Sequence, residues 1–521
     1  MAKRLGSGSE TASAQADAVA FLASGAAFKS GPPRRIDTHA AMVFLTADRA
    51  WKMKRAVRFP YLDFSTADRR KSALEAELVL NRRTAPSLYL GLHSINRVSE
   101  GKLAIDGPGE PIDWLLEMKR FPDEALLASI VANGGLDDPM AMRLADRIAC
   151  FHASAAPVPT AGGADAIRAI VAGNRESMAR YPRILPPAEV EALRIAALDA
   201  IHDAAALLDA RAKAGRVRHC HGDLHLANIV MLGDEPTLFD CLEFDAALAT
   251  IDVLYDLAFL LMDLWVGGWR RPANVVFNRY LDVSPDDEAG AALLPLFMSI
   301  RAAVRAHVHA AMAENPEDQP AQRARFYLRC ALDLMEPGAA RLIAIGGLSG
   351  SGKSTLARAL GGSIGAPPGA RILRTDVLRK QIAGVTPETP LPGASYTAAA
   401  SRAVYRRLED EAAAMLASGR SVIADGVFAD RAERDAIEGV ATAAGAPFDG
   451  LWLAAATETR AGRIAQRTAD ASDANVEIAR RQATLATDQL GRWHCIDAGD
   501  GPAATATAAS AMLGGSECSR P

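Results

Sequence analysis

The sequence predicts two folded units in one chain. The first, over residues 20–335, is a bilobal α+β unit with a small strand-rich lobe (about 20–120) and a larger helical lobe (about 121–335). The second, over 340–513, is an α/β unit with a mostly parallel sheet. Three observations predict this division. A chain of 521 residues is too long for one hydrophobic core. The pattern changes at Glu336-Pro337-Gly338, where a helical region stops and a strand begins. Beyond that point short apolar runs alternate with helical stretches, as parallel strands covered by helices on both faces require.

The elements follow in order. Residues 1–20, rich in Ala, Ser and Gly, are expected to fray, and so is the polar tail from Gly514 to Pro521. Met42-Val43-Phe44-Leu45 and Trp51 to Val57 read as strands, Thr66 to Arg83 as a helix, and Trp114-Leu115-Leu116-Glu117-Met118 as another strand. Glu124 to Asp209 is helical and Ala-rich, Val217 to Asp240 extended, and the next helical block reaches Leu334. In the second unit, strands are predicted at Leu342–Ile345, Ile372–Arg374, Val422–Ala424, Leu451–Leu453 and Trp493–Ile496.

Composition narrows the class. Half the residues are hydrophobic and the formal net charge is -4, which gives no field to attract nucleic acid or an anionic membrane. The longest apolar stretch, Leu257 to Val266, is interrupted by Asp263 and is short of a membrane span. The N-terminus lacks a secretory pattern, so a cytoplasmic location is expected. Six cysteines stand without metal spacing, and the neighbours His219, Cys220 and His221 point to alternate sides of an extended segment. A small-molecule substrate is the expected partner, and no oligomeric state is predicted.

The strongest motif is Gly347-Leu348-Ser349-Gly350-Ser351-Gly352-Lys353-Ser354, between a strand and a helix that opens at Thr355. Its glycines let backbone N–H groups turn inward around phosphate oxygens, and the helix N-terminus adds positive potential. Lys353 is positioned for the β- and γ-phosphates, and Ser354 for Mg²⁺. The lysine is notable because only ten of the 58 basic residues are lysines. Asp376 and Asp425 each stand at the carboxyl end of a strand, where open parallel sheets bind ligands. One suits orientation or deprotonation of an acceptor hydroxyl, the other Mg²⁺; helix capping is the plain alternative for either. Arg460, Arg463 and Arg467 share a helical face leading into the polar segment Thr468 to Asp473, which suggests a lid whose Arg463 neutralises transferring charge; a solvated face in an Arg-rich protein is the plain alternative. This region, about 340–500, resembles the small P-loop kinases of the gluconate kinase, chloramphenicol phosphotransferase and zeta-toxin type. The resemblance implies a P-loop NTPase fold that uses ATP, with acceptors that differ widely across the superfamily.

The second motif is His221-Gly222-Asp223-Leu224-His225-Leu226-Ala227-Asn228, followed by a hairpin ending at Asp240. Transfer to a hydroxyl needs a carboxylate beside the acceptor proton and oxygen ligands for Mg²⁺, which Asp223, Asn228 and Asp240 supply. The motif resembles the aminoglycoside phosphotransferase and choline kinase branch of the kinase-like fold, over roughly 20–335. That resemblance implies Asp223 as catalytic base and Asn228 and Asp240 as metal ligands, with Asp252 and Asp256 structural. It also implies a phosphate-binding lysine held by a helix glutamate. Lys54 with Glu77 is the choice, and Lys52 and Glu75 are the rivals. The strand Trp114 to Met118, followed by Lys119-Arg120-Phe121-Pro122, resembles the hinge whose backbone pairs with adenine, with Glu117 and Met118 as its candidate contacts, although no Gly-rich loop precedes Lys54. Glu243 and Asp245 read either as an attractant for a cationic acceptor or as an exposed turn.

Taken together, the chain resembles a fused aminoglycoside-phosphotransferase-like domain and ATP-binding P-loop kinase. The expected activity is ATP- and Mg²⁺-dependent phosphorylation of hydroxyl groups on small molecules at two sites. The alternative is a regulatory protein in which one domain is a nucleotide switch.

Overall fold

The computed structural model describes residues 7–28, 31–38, 40–59, 62–243, 246–466, 471–475, 477, 480, 482 and 490–515. By contact density the chain forms two compact units: one of 1–135, 151–158 and 218–251, the other of 136–150, 159–217 and 252–521. The second unit joins the helical region to the α/β sheet, so it is drawn along different lines from the sequence boundary at 336–338.

The first unit is built on a six-stranded antiparallel sheet of β1 (Arg34–Asp37), β2 (Ala41–Leu45), β3 (Arg49–Lys54), β4 (Tyr89–Ser99), β5 (Lys102–Ile105) and β6 (Glu110–Lys119). The spatial order is β1-β2-β3-β6-β4-β5. Helix α1 (Ser7–Ala23) packs on one face, its Ala18 and Leu22 fully buried with Phe44, Met53 and Leu115. The expectation that residues 1–20 fray is therefore corrected over the helical part. Gln15 shows why the helix is tied down: its side-chain amide donates to Asp113 Oδ2 at 2.8 Å and to the Lys54 carbonyl at 3.0 Å.

Helix α2 (Ala67–Asn81) begins where Thr66 caps it, the Thr66 hydroxyl accepting from Arg69 N–H. Its buried residues are Arg70, Ala73, Leu74, Glu77 and Asn81, the 3.6-residue stripe of one face. That face is partly charged because each charge has a partner: Arg70 binds Asp113 with two bonds of 2.8 and 2.9 Å. Glu75, about 200° round the helix from Glu77, instead faces solvent beside Lys71. A hairpin of β7 (Ile229–Leu232) and β8 (Glu235–Leu238) follows the second motif directly.

In the second unit, helices including α3 (Gly163–Ala179), α4 (Pro187–Asp203), α5 (Val253–Val266), α6 (Arg270–Val283), α7 (Leu294–Met312) and α8 (Gln319–Asp333) form a helical layer. The stretch Pro285–Met312 is long and apolar enough to cross a membrane by length and composition, but most of it is buried against protein. Its α7 part packs on both α5 and α8. Asp252 caps α5 and binds Arg211 with two bonds of 2.8 Å, and Asp256 is fully buried.

The parallel sheet comprises β9 (Leu342–Gly346), β10 (Arg371–Arg374), β11 (Val422–Asp425), β12 (Phe448–Ala454) and β13 (His494–Asp497), in the order β10-β11-β9-β12-β13. All five predicted strands are present, each within a few residues of its expected bounds. Their apolar runs are nearly continuous because both faces are covered: Ile343, Ile345, Ile372, Ile423, Leu451, Leu453 and Ile496 share one core with Leu356 and Leu360, and Leu342, Ala344, Leu373, Val422 and Ala424 on the other face are buried too.

The edge strand β10 is closed by side chains of α6. Asn278 Oδ1 accepts from Ile372 N–H at 2.7 Å, and its amide donates to the Ala370 carbonyl at 3.1 Å. Asn274 donates to the carbonyls of Pro368 and Ala370 at 3.1 and 2.9 Å. Two asparagines thus bond the edge as a further strand would, covering groups that otherwise invite pairing. The approach needs Gly361, where a Cβ would lie 2.1 Å from Asn274 Oδ1. Arg371 is fully buried between Asp282 and Glu288, at 2.7 and 2.8 Å.

Candidate functional site

The first constellation lies at the carboxyl edge of the parallel sheet. Register aligns Ile345 and Arg374 with Asp425, so the phosphate loop, the start of the helix after β10 and the end of β11 converge there. Gly347, Gly350 and Gly352 have φ of 141°, 83° and 102°, conformations that side-chain-bearing residues rarely adopt. Helix α9 (Lys353–Gly361) starts immediately after Gly352. A cavity of about 990 Å³ is lined by Ser349 through Thr355, Asp376, Asp425 and Arg463, among others. Gly347 and Leu348 lie outside that lining, and the Leu348 carbonyl accepts from Lys353 Nζ at 3.3 Å.

Ser354 Oγ donates to Asp425 Oδ2 at 2.5 Å, and Arg374 Nε stands 3.5 Å from the same oxygen. Asp376, in the first turn of α10 (Thr375–Ile382), has its carboxyl pushed above the usual range by burial. The Asp425 charge adds to that rise, while Arg374 and Lys353 oppose it. The donor set of Ser354 and Asp425 is all oxygen, which suits Mg²⁺.

The two described lid arginines part company. On α11 (Thr457–Ala465), Arg463 lines the cavity and donates to the Ser351 and Ala498 carbonyls at 3.4 and 2.7 Å. Arg460 is buried and braces the Ser349 carbonyl at 3.3 Å. Arg467 lies outside the described residues. The lining also holds Tyr396, Tyr405, Glu433 and Gln482, which no motif announced, together with Asp473 from the end of the predicted lid segment. Gln482 Oε1 accepts from the Ser349 N–H at 2.8 Å, and Asp473 pairs with Lys380 at 2.5 Å and with the Tyr396 hydroxyl. They come from segments far apart in sequence, so only folding collects them.

The second constellation lies in the first unit. Asn228 donates to Asp223 Oδ2 and to the Asp223 carbonyl, both at 2.9 Å, and His225 Nε2 is 3.3 Å from Asp223 Oδ2. His221, fully buried, bonds the Phe239 carbonyl at 2.9 Å and so ties the motif to the strand that ends at Asp240. Asp240 has φ 61°, rare for a residue with a side chain, and its N–H donates to Tyr89 Oη at 3.1 Å. Asn228 and Asp240 again offer oxygen donors that suit Mg²⁺.

Both candidate lysines are present, and Glu77 serves both. Lys52 Nζ lies 2.6 Å from Glu77 Oε1 and 2.6 Å from Asp240 Oδ1. Lys54 Nζ lies 2.7 Å from Glu77 Oε2, a charge contact, and pairs with Glu243. The two share a face because Met53 between them points into the apolar cluster on the other side. Burial disfavours the Lys52 ammonium, but Asp240, Glu77 and Glu243 outweigh it and raise its pKa well above the usual value. For Asp240, burial is likewise outweighed by Lys52, so its carboxyl is held low.

Two readings are corrected here. Glu243 is neither an exposed turn nor free to attract a cation, because it is buried against Lys54; Asp245 lies outside the described residues. Glu117 and Met118 have ladder partners on both sides, in β3 and β4, and Glu117 accepts from Arg49 Nε at 2.8 Å. The chain leaves the sheet only after Lys119, at the Arg120 to Pro122 end of the predicted hinge segment.

Comparison with known proteins finds two family models in the chain. A model described as the phosphotransferase enzyme family matches residues 122–294, and one described as an AAA domain matches 342–489. An uncharacterized protein of Mycobacterium tuberculosis strain H37Rv, Rv2004c, is 30% identical over 460 residues, covering 87% of this chain and 90% of its own. A counterpart in Mycobacterium bovis, Mb2027c, matches equally. Among solved structures, a gluconokinase from Sinorhizobium meliloti 1021 is 22% identical over 34% of this chain and 92% of its own, with a TM-score of 0.26. A choline/ethanolamine kinase family protein from Mesorhizobium loti is 15% identical over 62% and 95%, with a TM-score of 0.38. The chain belongs to the same family as these mycobacterial proteins, with a domain of the phosphotransferase enzyme family followed by an AAA domain.

Proposed function

We propose that the chain is an ATP- and Mg²⁺-dependent phosphotransferase with two sites, each transferring the γ-phosphoryl group to a hydroxyl of a small molecule. The observation that carries this reading is the 2.5 Å contact of Ser354 with Asp425 in the lining of a cavity that Lys353 and Asp376 also line. Mg²⁺ held by Ser354 and Asp425 would neutralise phosphate charge. Lys353 and the loop amides hold the β- and γ-phosphates, and Arg463 faces the same space. The acceptor oxygen attacks the γ-phosphorus, its proton passes to Asp376, and the bond to the β-phosphate oxygen breaks with its electron pair leaving on ADP. The raised pKa of Asp376 makes it a stronger base for that proton than an ordinary carboxylate.

In the first unit Asp223 takes the part of the base and Asn228 and Asp240 those of the metal ligands. Lys52, which meets both Glu77 and Asp240, is assigned the phosphates in place of Lys54. The test is a metabolite pool incubated with γ-labelled ATP and wild type, Asp223→Ala or Lys353→Ala protein. Each substitution is expected to abolish a different product, by at least ~100-fold in rate. ATP binding with no labelled product from any of the three proteins would support the nucleotide-switch reading and overturn this one.

A further inference from the structure

We propose that Lys54 and Glu243 form a buried charge latch that holds Asp240 in its metal-binding posture, making Lys54 a positioning residue of the first unit's site. The proposal rests on the reading of that site as a nucleotide site. Four consecutive residues, Asp240 to Glu243, are each anchored by a different group. The N–H of Asp240 donates to Tyr89 Oη at 3.1 Å, that of Cys241 to Asn81 Oδ1 at 2.8 Å and that of Leu242 to the His221 carbonyl at 2.9 Å. The fourth anchor is the Glu243 carboxylate on Lys54. Asp240 needs such support, because a residue with a side chain at φ 61° is held there only when its surroundings over-determine it.

Exposure separates the two lysines. The side chains of Lys52 and Asp240 are 12% and 40% exposed, whereas Lys54 is 3% exposed and Glu243 9%. Lys54 Nζ also sits 5.5 Å from the centre of the Phe64 ring, and the Lys54 carbonyl is held by Gln15. To reach a phosphate it would have to abandon two buried carboxylates, a costly exchange in a low-dielectric setting. The ammonium groups divide the work through Glu77: Oε1 orients Lys52 toward the ligand side, and Oε2 faces Lys54 behind it. Without Lys54, Glu243 loses its cation and the Asp240–Glu243 segment loses its fourth anchor, while Lys52 keeps its own contact with Glu77 Oε1.

The experiment uses the full chain carrying Lys353→Ala, which silences the P-loop site, and a fluorescent ATP analogue titrated with and without Mg²⁺. Lys52→Met is expected to weaken binding in both conditions. Glu243→Gln and Lys54→Met are expected to keep metal-free binding within about twofold while cutting the gain produced by Mg²⁺ by ~10–100-fold, as loss of a ligand-supporting contact does. The isosteric Glu243→Gln decides the matter if Lys54→Met fails to fold. Equal weakening with and without Mg²⁺ would make Lys54 a phosphate ligand and overturn the latch, as would an undiminished Mg²⁺ gain in Glu243→Gln. A Lys353→Ala parent that takes up no nucleotide even with Mg²⁺ is a separate result, which removes the nucleotide reading of the site and the latch with it.

Discussion

Lys52 and Lys54 stand two residues apart on one strand face, bind the same glutamate, and differ in what lies beyond it: Asp240 for one, Glu243 for the other. Alternation along a strand shows that both face one way, but not which reaches solvent. His307 illustrates a single-residue effect away from either site. Burial, with Arg180 adding to it, lowers its pKa to about 4 from 6.5. Between those values the unfolded chain binds a proton that the folded chain does not. Stability therefore falls as pH drops from about 6.5 to 4 and levels off below, by roughly 1–3 kcal/mol. Denaturant titrations across that range are expected to show a shallower acid limb in His307→Gln, and an unchanged limb would refute the assignment.

Helices α2 and α6 do their work through polar faces, which hydrophobic periodicity does not reveal. In α2 the buried stripe carries Arg70 and Glu77, one fastening Asp113 and the other joining both lysines. In α6, Asn274 and Asn278 close the open edge of β10, whose last residue leads directly into the Asp376 turn. Asn278→Leu strands the Ile372 N–H in an apolar setting and breaks the bond to the Ala370 carbonyl. Its expected cost is about 2–4 kcal/mol, read as a lower urea midpoint with unchanged m-value. Arg371→Met leaves Asp282 and Glu288 without their cation and is expected to cost about 3–5 kcal/mol by the same measurement.

On the scale of the molecule, the helical layer and the parallel sheet belong to one compact unit. A fragment starting at residue 340 loses α6, exposing the β10 edge, the Arg371 guanidinium and the surface that Asn274 and Asn278 cover. Such a fragment is expected to aggregate, while one starting at 136, which keeps the helices, remains the better behaved by size-exclusion chromatography. A monodisperse, cooperatively melting 340–521 fragment would contradict this. The sequence by itself determined both motifs, all five parallel strands and the identities of Lys353, Ser354, Asp223 and Asn228. Phosphate loops and catalytic loops require local backbone conformations and so leave contiguous signatures. Tertiary structure alone decided the pairing of Ser354 with Asp425, the burial of Glu243, the anchoring of α1 and the Tyr396–Gln482 wall. Those depend on contacts between segments separated by tens to hundreds of residues, where side-chain type is free to vary until the fold brings a partner to it.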